Sequence, residues 1–527
     1  MREPAALIIG AGIAGIQAAL DIADAGFKVY LVEREPSVGG RMSQLDKTFP
    51  TLDCSACILT PRMVDVARHP NIELFTYSEV VDVQGQAGDF RVRVKKKPRY
   101  IHEELCTGCG LCVEACVWEK VPSEFDAGVS TRSAAYIPFP QAVPLKAVID
   151  EKTCLYLVKG KCGRKCEKAC ERGAIDFEME EEFADLYVGA VIVATGFDPF
   201  DPRLKPEFAY GVYPNVITGL EFERLSSASG PTQGEITING KEPRDVVFIH
   251  CVGSRDKNLG NEYCSRVCCM YTAKQAYLVK EQIPEANVTI FYMDVRAFGK
   301  GFEEFYDRVR MEGIRYRRGN ASEIYHKGDP STSPSTGSGQ GSGQGKLVVR
   351  VEDTLLSETL EVEADLVVLA VGMVPRHDVK DIASLLKLSR SPDGFFLEAH
   401  PKLRPIDTTT DGVFLAGTCQ GPKDITDTVA QAKAAASSAL IPLSRGRVKV
   451  ESIVSVVNQE ICSGCGICEG LCAYGALSLH LWKGVMTVNE VLCKGCGACA
   501  AACPSGALTL SHFTHDQILA QIDTLVV

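Results

Sequence analysis

No stretch of this 527-residue chain stays apolar for the roughly 20 residues that a membrane-crossing helix needs; the longest apolar runs, such as Val188–Ala194, fall far short. The amino terminus lacks the basic and apolar regions of a signal peptide and leads straight into a strand, so a cytoplasmic protein with no membrane span is expected. Positive charge is also in short supply. Against 67 Asp and Glu stand 56 Lys and Arg, and the net charge of −11 argues against a nucleic-acid partner while suiting basic docking patches. The last shortage is local. The apolar run Val246–Ile249 reads as a buried parallel strand, and a nicotinamide-binding turn after it would carry Gly-x-Gly-x-x-Gly so that backbone can approach a pyrophosphate. This turn holds Cys251 and only Gly253, so pyrophosphate binding is not expected there.

What the chain has in excess is cysteine, 23 in all. Without a secretion signal these read as metal ligands and redox groups, not disulfides. Spacing sorts most of them into fours: Cys106, Cys109, Cys112 and Cys116; Cys154, Cys162, Cys166 and Cys170; Cys251, Cys264, Cys268 and Cys269; Cys462, Cys465, Cys468 and Cys472; Cys493, Cys496, Cys499 and Cys503. Cys54, Cys57 and Cys419 are left over. Four thiolates suit a tetrahedral zinc or a cubane iron–sulfur cluster. The adjacent pair Cys268 and Cys269 departs from the usual Cys-x2-Cys loop, so buried free thiols remain an alternative for that group.

With 46% hydrophobic residues and 47 glycines the chain has the composition of a globular protein of about three or four domains. Residues 5–35 read as strand, glycine turn, alanine-rich helix and second strand ending in an acid. Gly10, Gly12 and Gly15 supply the tight turn, the close phosphate approach and the helix packing, and Glu33 stands where a ribose hydroxyl is held. Gly39, Gly40 and Arg41 follow; Arg41 is placed to pair with a cofactor pyrophosphate, the alternative being a solvated loop residue. Two later pieces continue the pattern, VIVATG with Thr195 and Gly196, and DGVFLAGT with Gly417 before a long helix.

This order of motifs resembles the thioredoxin-reductase class of FAD enzymes, over about residues 1–98, 176–230 and 405–445. That class usually has an Asp after the late Ala-Gly to hold the ribityl chain. Thr418 and Cys419 stand here, which leaves Asp424, or Lys423 beside the isoalloxazine, to take over part of the role. The piece TLDCSACILTP puts Cys54 and Cys57 at the start of a helix, where a thiol pKa is lowered. A redox dithiol, an extra cluster site and simple packing against the flavin are all open. Candidates for a catalytic role are therefore Lys423, Cys54 and Cys57.

Residues 99–175 read as a ferredoxin-like insertion into a surface hairpin, since strands precede and follow them and loops tolerate insertion. The spacing Cys-x2-Cys-x2-Cys-x3-Cys wraps three thiolates around one cubane and sends the fourth to its neighbour. One cluster is then expected on Cys106, Cys109, Cys112 and Cys170, the other on Cys154, Cys162, Cys166 and Cys116. The second half is irregular, with seven residues between Cys154 and Cys162 and no Pro after Cys116 or Cys170. Residues 450–512 repeat one pattern twice and resemble a bacterial two-cluster ferredoxin, with Cys462, Cys465, Cys468 and Cys503 for one cluster and Cys493, Cys496, Cys499 and Cys472 for the other. A zinc ribbon is the bland alternative; it pairs two Cys-x2-Cys loops, not two four-cysteine runs.

The expected architecture is α/β: a thioredoxin-reductase-like pair of dinucleotide-binding domains with an inserted and a C-terminal two-cluster ferredoxin domain of α+β type. FAD-binding parts occupy 1–98, 176–230 and 405–449, a domain like an NAD(P)-binding one occupies 231–404, and 513–527 is a tail. Within 329–346 the run Ser331–Gly345, STSPSTGSGQGSGQG, has no apolar residue to bury and reads as a disordered hairpin tip.

Three longer segments, GGRMSQLDKTFPTLDCSACILTP, YCSRVCCMYTAKQA and LAGTCQGPKDITDTVAQ, are similar to the flavin-carrying "A" component of heterodisulfide reductase, and the likeness spans essentially the entire chain. It implies FAD and several [4Fe–4S] clusters, an atypical one at Cys251, Cys264, Cys268 and Cys269; the five groups of four cysteines make the expected number five. It also implies an electron-transfer component, bifurcating or confurcating electrons between a donor, ferredoxin and a reductase subunit. The partners implied are B- and C-like subunits, a donor subunit of hydrogenase or formate dehydrogenase type, ferredoxin, and a second copy of the chain within a larger complex. Methanogen members carry a further amino-terminal domain, and this sequence opens on the flavin glycine turn. A non-bifurcating relay component, and a self-contained NAD(P)H oxidoreductase like the small subunit of glutamate synthase, are the alternatives.

Overall fold

The computed structural model describes residues 4–238, 240–327, 346–446 and 452–525. The strand Ala5–Ile9 is buried at every position, as a central parallel strand must be, and the first sheet forms around it. Its five parallel strands run in the order Val413–Leu415, Ala190–Val193, Ala5–Ile9, Lys28–Val32 and Ile72–Phe75. On one face the helices Ile13–Asp24 and Ile425–Arg445 meet through Ala18, Ala19, Ala432, Ala435 and Ala436, small side chains that let two helices approach closely.

The second sheet has seven strands. Val216–Thr218, Leu366–Val371, Asp245–Val252, Asn287–Tyr292 and Arg315–His326 are parallel, and Leu347–Asp353 and Glu358–Ala364 extend them as an antiparallel meander. The chain crosses between the two sheets on a short antiparallel ribbon, Asp198–Pro199 paired with Met373–Val374. That ribbon corrects the expected boundaries. Phe200, Phe208 and Val216, expected in the first domain, lie in the core of the second sheet. Val379, Ala383 and Leu386, expected in the second domain, pack into the core of the first. The crossings fall at the ribbon because the apolar stripe of the helix Val379–Leu386 has its partners on the first sheet, beside Leu7 and Val191.

Strands Asp89–Lys96 and Glu182–Val188 pair antiparallel with Lys96 opposite Glu182, so the cysteine-rich segment between them leaves and returns at one point of a hairpin. At the carboxy end two strand pairs, Ser455–Val457 with Leu508–Leu510 and Leu477–His480 with Val485–Val488, enclose the short helices Ile467–Leu471 and Ala498–Ala502. This module is fastened to the first domain by a Lys494–Asp411 ion pair and by Asn489 Nδ2 donating to Gln86 Oε1 at 2.6 Å. The segment 513–527, expected as a tail, contains the helix His515–Leu525, which buries none of its residues. The run Ser331–Gly345 lies outside the described residues. Among the described residues no helix is long and apolar enough to cross a membrane.

A candidate dinucleotide cavity and five groups of thiols

A cavity of about 900 Å³ opens at the carboxy end of the strand Ala5–Ile9 and runs toward the crossing ribbon. Gly10, Gly12, Glu33, Gly40, Arg41, Thr195, Gly196, Lys423 and Asp424 line it. Gly15 does not, and its role is packing: a Cβ there would stand 1.8 Å from the carbonyl oxygen of Gly10, so only glycine lets the helix start against the turn. Gly12 is different. A Cβ on it would meet only the Cα of Gly40 at 3.9 Å, so the space above it is open toward the cavity, as a cradle for a phosphate requires. Gly39 backs this wall, its N–H donating to the carbonyl of Ala11 at 2.8 Å.

Glu33 is held by two N–H donors, that of Ala11 at 2.6 Å and that of Glu35 at 3.0 Å. Burial outweighs these bonds and pushes its carboxyl up to about 7. Arg41 turns toward Gln44 Oε1, at 3.1 Å, and Asp198, at 3.5 Å, and so ties the second glycine turn to the ribbon. At the other end Lys423 donates to the carbonyls of Gly417, at 2.9 Å, and Gly421, at 2.7 Å, and to Gln420 Oε1 at 3.0 Å. Burial lowers its ammonium to about 8. Asp424 caps the helix Ile425–Arg445 by accepting from the N–H of Asp427 at 2.8 Å, so that helix presents its positive end to the cavity. Gly417 stands behind the lining and holds Lys423 and Gln431.

Sequence reading missed two walls of this cavity. One is the insertion: Glu124, Phe125, Arg132, Tyr136 and Phe139 line the cavity, with Phe125 stacked on Phe139 at 4.4 Å and Arg224 over Phe125 at 4.6 Å. Gln44, in the second glycine turn, donates to the carbonyls of Glu124 and Phe125 at 3.2 and 2.9 Å. The other wall is a buried ion pair. Lys274 Nζ lies 2.5 Å from Glu223 Oε1 and donates to the carbonyl of Lys47 at 2.8 Å, while Glu223 also accepts from Gln275 and from the N–H of Asp46. Only long-range packing joins these residues, so no local pattern announces them.

The structure draws the thiols together in a crossed manner. Cys112 is pushed up to about 12 by burial and by the neighbouring thiols of Cys106, Cys170, Cys109 and Cys166. Cys166 is raised to about 11 by burial, with Cys116, Cys154 and Cys162 beside it. Cys170 is thus a neighbour of Cys112 in the first run and Cys116 a neighbour of Cys166 in the second, with cysteines of both runs gathered in one core. In the carboxy-terminal module Cys468 adjoins Cys465 and Cys499. Cys462, Cys468, Cys472, Cys499 and Cys503 share one core, and Cys472 also packs with Cys493. Cys496 is exposed. Among the described residues no three His, Cys, Asp or Glu side chains stand close enough to share one metal ion. A cubane makes no such demand, because each of its thiolates binds a different iron.

Cys251, Cys264, Cys268 and Cys269 form the remaining group. Burial raises Cys251 to about 12, with Cys269 and Cys264 adding to the shift. Burial also raises Cys268 well above the usual thiol range, and the other three thiols push it the same way. The helix Cys268–Gln282 starts with two of these thiols. One turn further on, Tyr271, Lys274 and Gln275 of the same helix line the cavity. Cys268 Sγ also lies 3.9 Å from the carbonyl of Val371, another lining residue. The turn after the strand Asp245–Val252 is closely packed: a Cβ on Gly253 would fall 2.1 Å from the ring of Phe200.

Cys54 and Cys57 stand apart from these groups, bonded to each other at the exposed amino end of the helix Ser55–Arg68. Neither lines the cavity, so packing against a flavin, one of the readings open from sequence, does not describe them. Cys419 is buried, its Sγ directed at the carbonyls of Val193, at 3.1 Å, and Ala416, at 3.3 Å.

Residues 4–439 match the family of pyridine nucleotide-disulphide oxidoreductases, and residues 461–507 match the 4Fe-4S dicluster domain. The chain is 54% identical to the "A" component of the H(2):CoB-CoM heterodisulfide,ferredoxin reductase of Methanothermobacter marburgensis, over 98% of its own length and 75% of that protein. It is 56% identical to an iron-sulfur "A" component of the CoB--CoM heterodisulfide reductase of Methanopyrus kandleri, over 90% of its length and 70% of the relative. A protein of Archaeoglobus profundus, itself described as like the "A" component of heterodisulfide reductase, is 49% identical, over 98% and 78%. Among solved structures, T. acidophilum thioredoxin reductase aligns with 84% of this chain and 97% of its own, at 15% identity and a TM-score of 0.44.

Proposed function

The chain belongs to the family of the heterodisulfide reductase "A" component, an FAD-dependent oxidoreductase subunit with iron–sulfur clusters, and from that premise we propose that it splits or merges electron pairs between a donor subunit, ferredoxin and a heterodisulfide-reducing subunit. One observation carries the reading: a single helix holds Cys268 and Cys269 at its start and lines the dinucleotide cavity one turn later. FAD exchanges two electrons together or singly and each cluster carries one, so clusters poised at different potentials give one flavin two exits.

The chain's own residues do the rest. Gly10 and Gly12 admit the pyrophosphate, and Glu33 receives the ribose. Arg41, Thr195, Gly196 and Asp424 frame the remainder of the cofactor. Phe125 and Phe139 close the cavity from the insertion and exclude water. Lys423, its ammonium lowered to about 8 by burial and held by the carbonyls of Gly417 and Gly421, would bring a positive charge to the wall of the flavin cavity. The five groups of four cysteines hold five [4Fe–4S] clusters, with Cys116 and Cys170 exchanged between the runs of the insertion and Cys472 and Cys503 between those of the terminal module. The partners follow the relatives, whose names tie them to ferredoxin and to hydrogen or formate. B- and C-like subunits, a hydrogenase- or formate-dehydrogenase-type donor and a second copy of the chain complete the proposed complex.

The test is the complex isolated under argon. Ferredoxin reduction by hydrogen or formate is expected only while the heterodisulfide is being reduced; ferredoxin reduction that ignores the heterodisulfide would leave a simple relay. A second expectation concerns nicotinamides. Because the turn at Cys251–Gly253 lacks the glycines that a pyrophosphate requires, NADH and NADPH should fail to bleach the flavin of the isolated chain. Stoichiometric bleaching within seconds would contradict this account of the second domain.

Glu33 gives a pH signature. Its carboxylate is the form that accepts a ribose hydroxyl, and with the free carboxyl at about 7, protons compete with FAD below that pH. FAD should therefore bind about tenfold more weakly at pH 6 than at pH 8, and Glu33→Gln should flatten the dependence. Titration of apoprotein with FAD, followed by flavin fluorescence, measures both.

A further inference from the structure

The Cys54–Cys57 disulfide is the one cysteine feature at the protein surface that the proposed electron route does not use. Both residues are exposed. Cys54 is the N-cap of the 14-residue helix Ser55–Arg68, and its Sγ accepts the N–H of Cys57 at 3.2 Å. The frame around them is fixed independently of the S–S bond. Cys54 pairs with Lys47 in a two-stranded ribbon, the Ser55 hydroxyl donates to the carbonyl of Met42 at 2.6 Å, and the Ser55 N–H donates to the carbonyl of Asp46 at 2.9 Å.

We propose that Cys54 and Cys57 form a surface dithiol–disulfide couple that exchanges two electrons with an external dithiol, on the outer side of the cavity wall and apart from the flavin. In the reducing direction a thiolate of the external dithiol attacks Cys57 Sγ, the Cys54–Cys57 bond breaks, and Cys54 leaves as thiolate. The helix amino terminus and the Cys57 N–H favour negative charge on that sulfur. The second thiol of the external dithiol then attacks the mixed disulfide and releases Cys57. Two electrons and two protons have passed to the pair, and the external dithiol has become a disulfide. The exposure of both sulfurs meets the need for access from solvent, and the fixed frame lets the couple open without disturbing the flavin site. The couple does not depend on the proposed partners or on the number of clusters.

The experiment uses the full-length holoprotein under argon, oxidised with diamide and then treated with dithiothreitol, with iodoacetamide labelling read by peptide mass spectrometry. The peptide holding Cys54 and Cys57 should be two hydrogens light and unlabelled before dithiothreitol, and doubly labelled after it, with iron and FAD content unchanged. At pH 7, Cys54 in Cys57→Ser should be alkylated about threefold faster than Cys57 in Cys54→Ser, because Cys54 Sγ sits at the helix amino terminus and accepts the N–H of residue 57. Iron counts of the two variants should equal the parent's. A pair that stays labelled after diamide, a disulfide that opens only in denaturant, or iron lost in either variant would each overturn the proposal. Equal or inverted labelling rates would overturn the assignment of Cys54 as the leaving sulfur.

Discussion

Gly15→Ala is expected to yield a chain without flavin, and Gly12→Ala a folded chain that binds flavin poorly. The two glycines share a turn but not a role. At Gly15 the new methyl would sit 1.8 Å from the carbonyl oxygen of Gly10, and neither atom can move without separating the helix Ile13–Asp24 from the strand before it. Forcing atoms into a packed core costs about 1–3 kcal/mol, sometimes more, and here the displaced atoms are the cofactor turn itself. At Gly12 the methyl meets protein only at 3.9 Å, so the fold should be kept, with an unfolding midpoint near the parent's. What the methyl occupies is the space over which a phosphate approaches, and a loss of about 1.4 kcal/mol or more, tenfold in affinity, is expected for FAD. Flavin fluorescence after gel filtration, with thermal unfolding of both variants, measures the contrast. Parent-like FAD affinity in Gly12→Ala would contradict the placement of the pyrophosphate.

Cys268→Ser should remove one cluster and leave the flavin in place. A hydroxyl is a poor substitute for a thiolate at iron, and the Cys268 thiol is buried. Iron should fall by about four atoms per chain and one signal should leave the redox-titrated EPR spectrum, since each cubane carries four irons. Cys269→Ser should do the same, because the two residues begin one helix and each lies among the same thiols. FAD should be retained, as Gly10, Gly12 and Glu33 lie on the first sheet. Partner-dependent flavin reduction should slow in both variants. Unchanged iron and unchanged rates in both would return these cysteines to the core as free thiols.

How much of this was legible in the sequence depends on whether the determinant is local. The glycine turn at Gly10–Gly15 and the terminal cysteine runs are written in consecutive residues, so their elements and grouping are visible at once. The crossing ribbon was not, because Asp198–Pro199 and Met373–Val374 are two residues each and carry no periodicity. For that reason the domain limits at 230 and 404 were misplaced toward the next recognisable motif. The insertion showed its cysteines but not Phe125 and Phe139, whose contact with the cavity depends on how the whole module folds back. Glu223 and Lys274 sit on separate helices and meet only in three dimensions. The missing glycines at Cys251–Gly253 were readable as an absence. The ring of Phe200 packed against that turn was not, since its contact depends on the crossing of the chain.

The central claim is that one flavin and five cubane clusters share this chain, and their stoichiometry tests it most directly. Protein purified under argon and reconstituted with iron and sulfide should hold about one FAD, about twenty irons and as many sulfides per chain, with little zinc. Iron below roughly half that amount after reconstitution, or zinc in its place, would contradict the account.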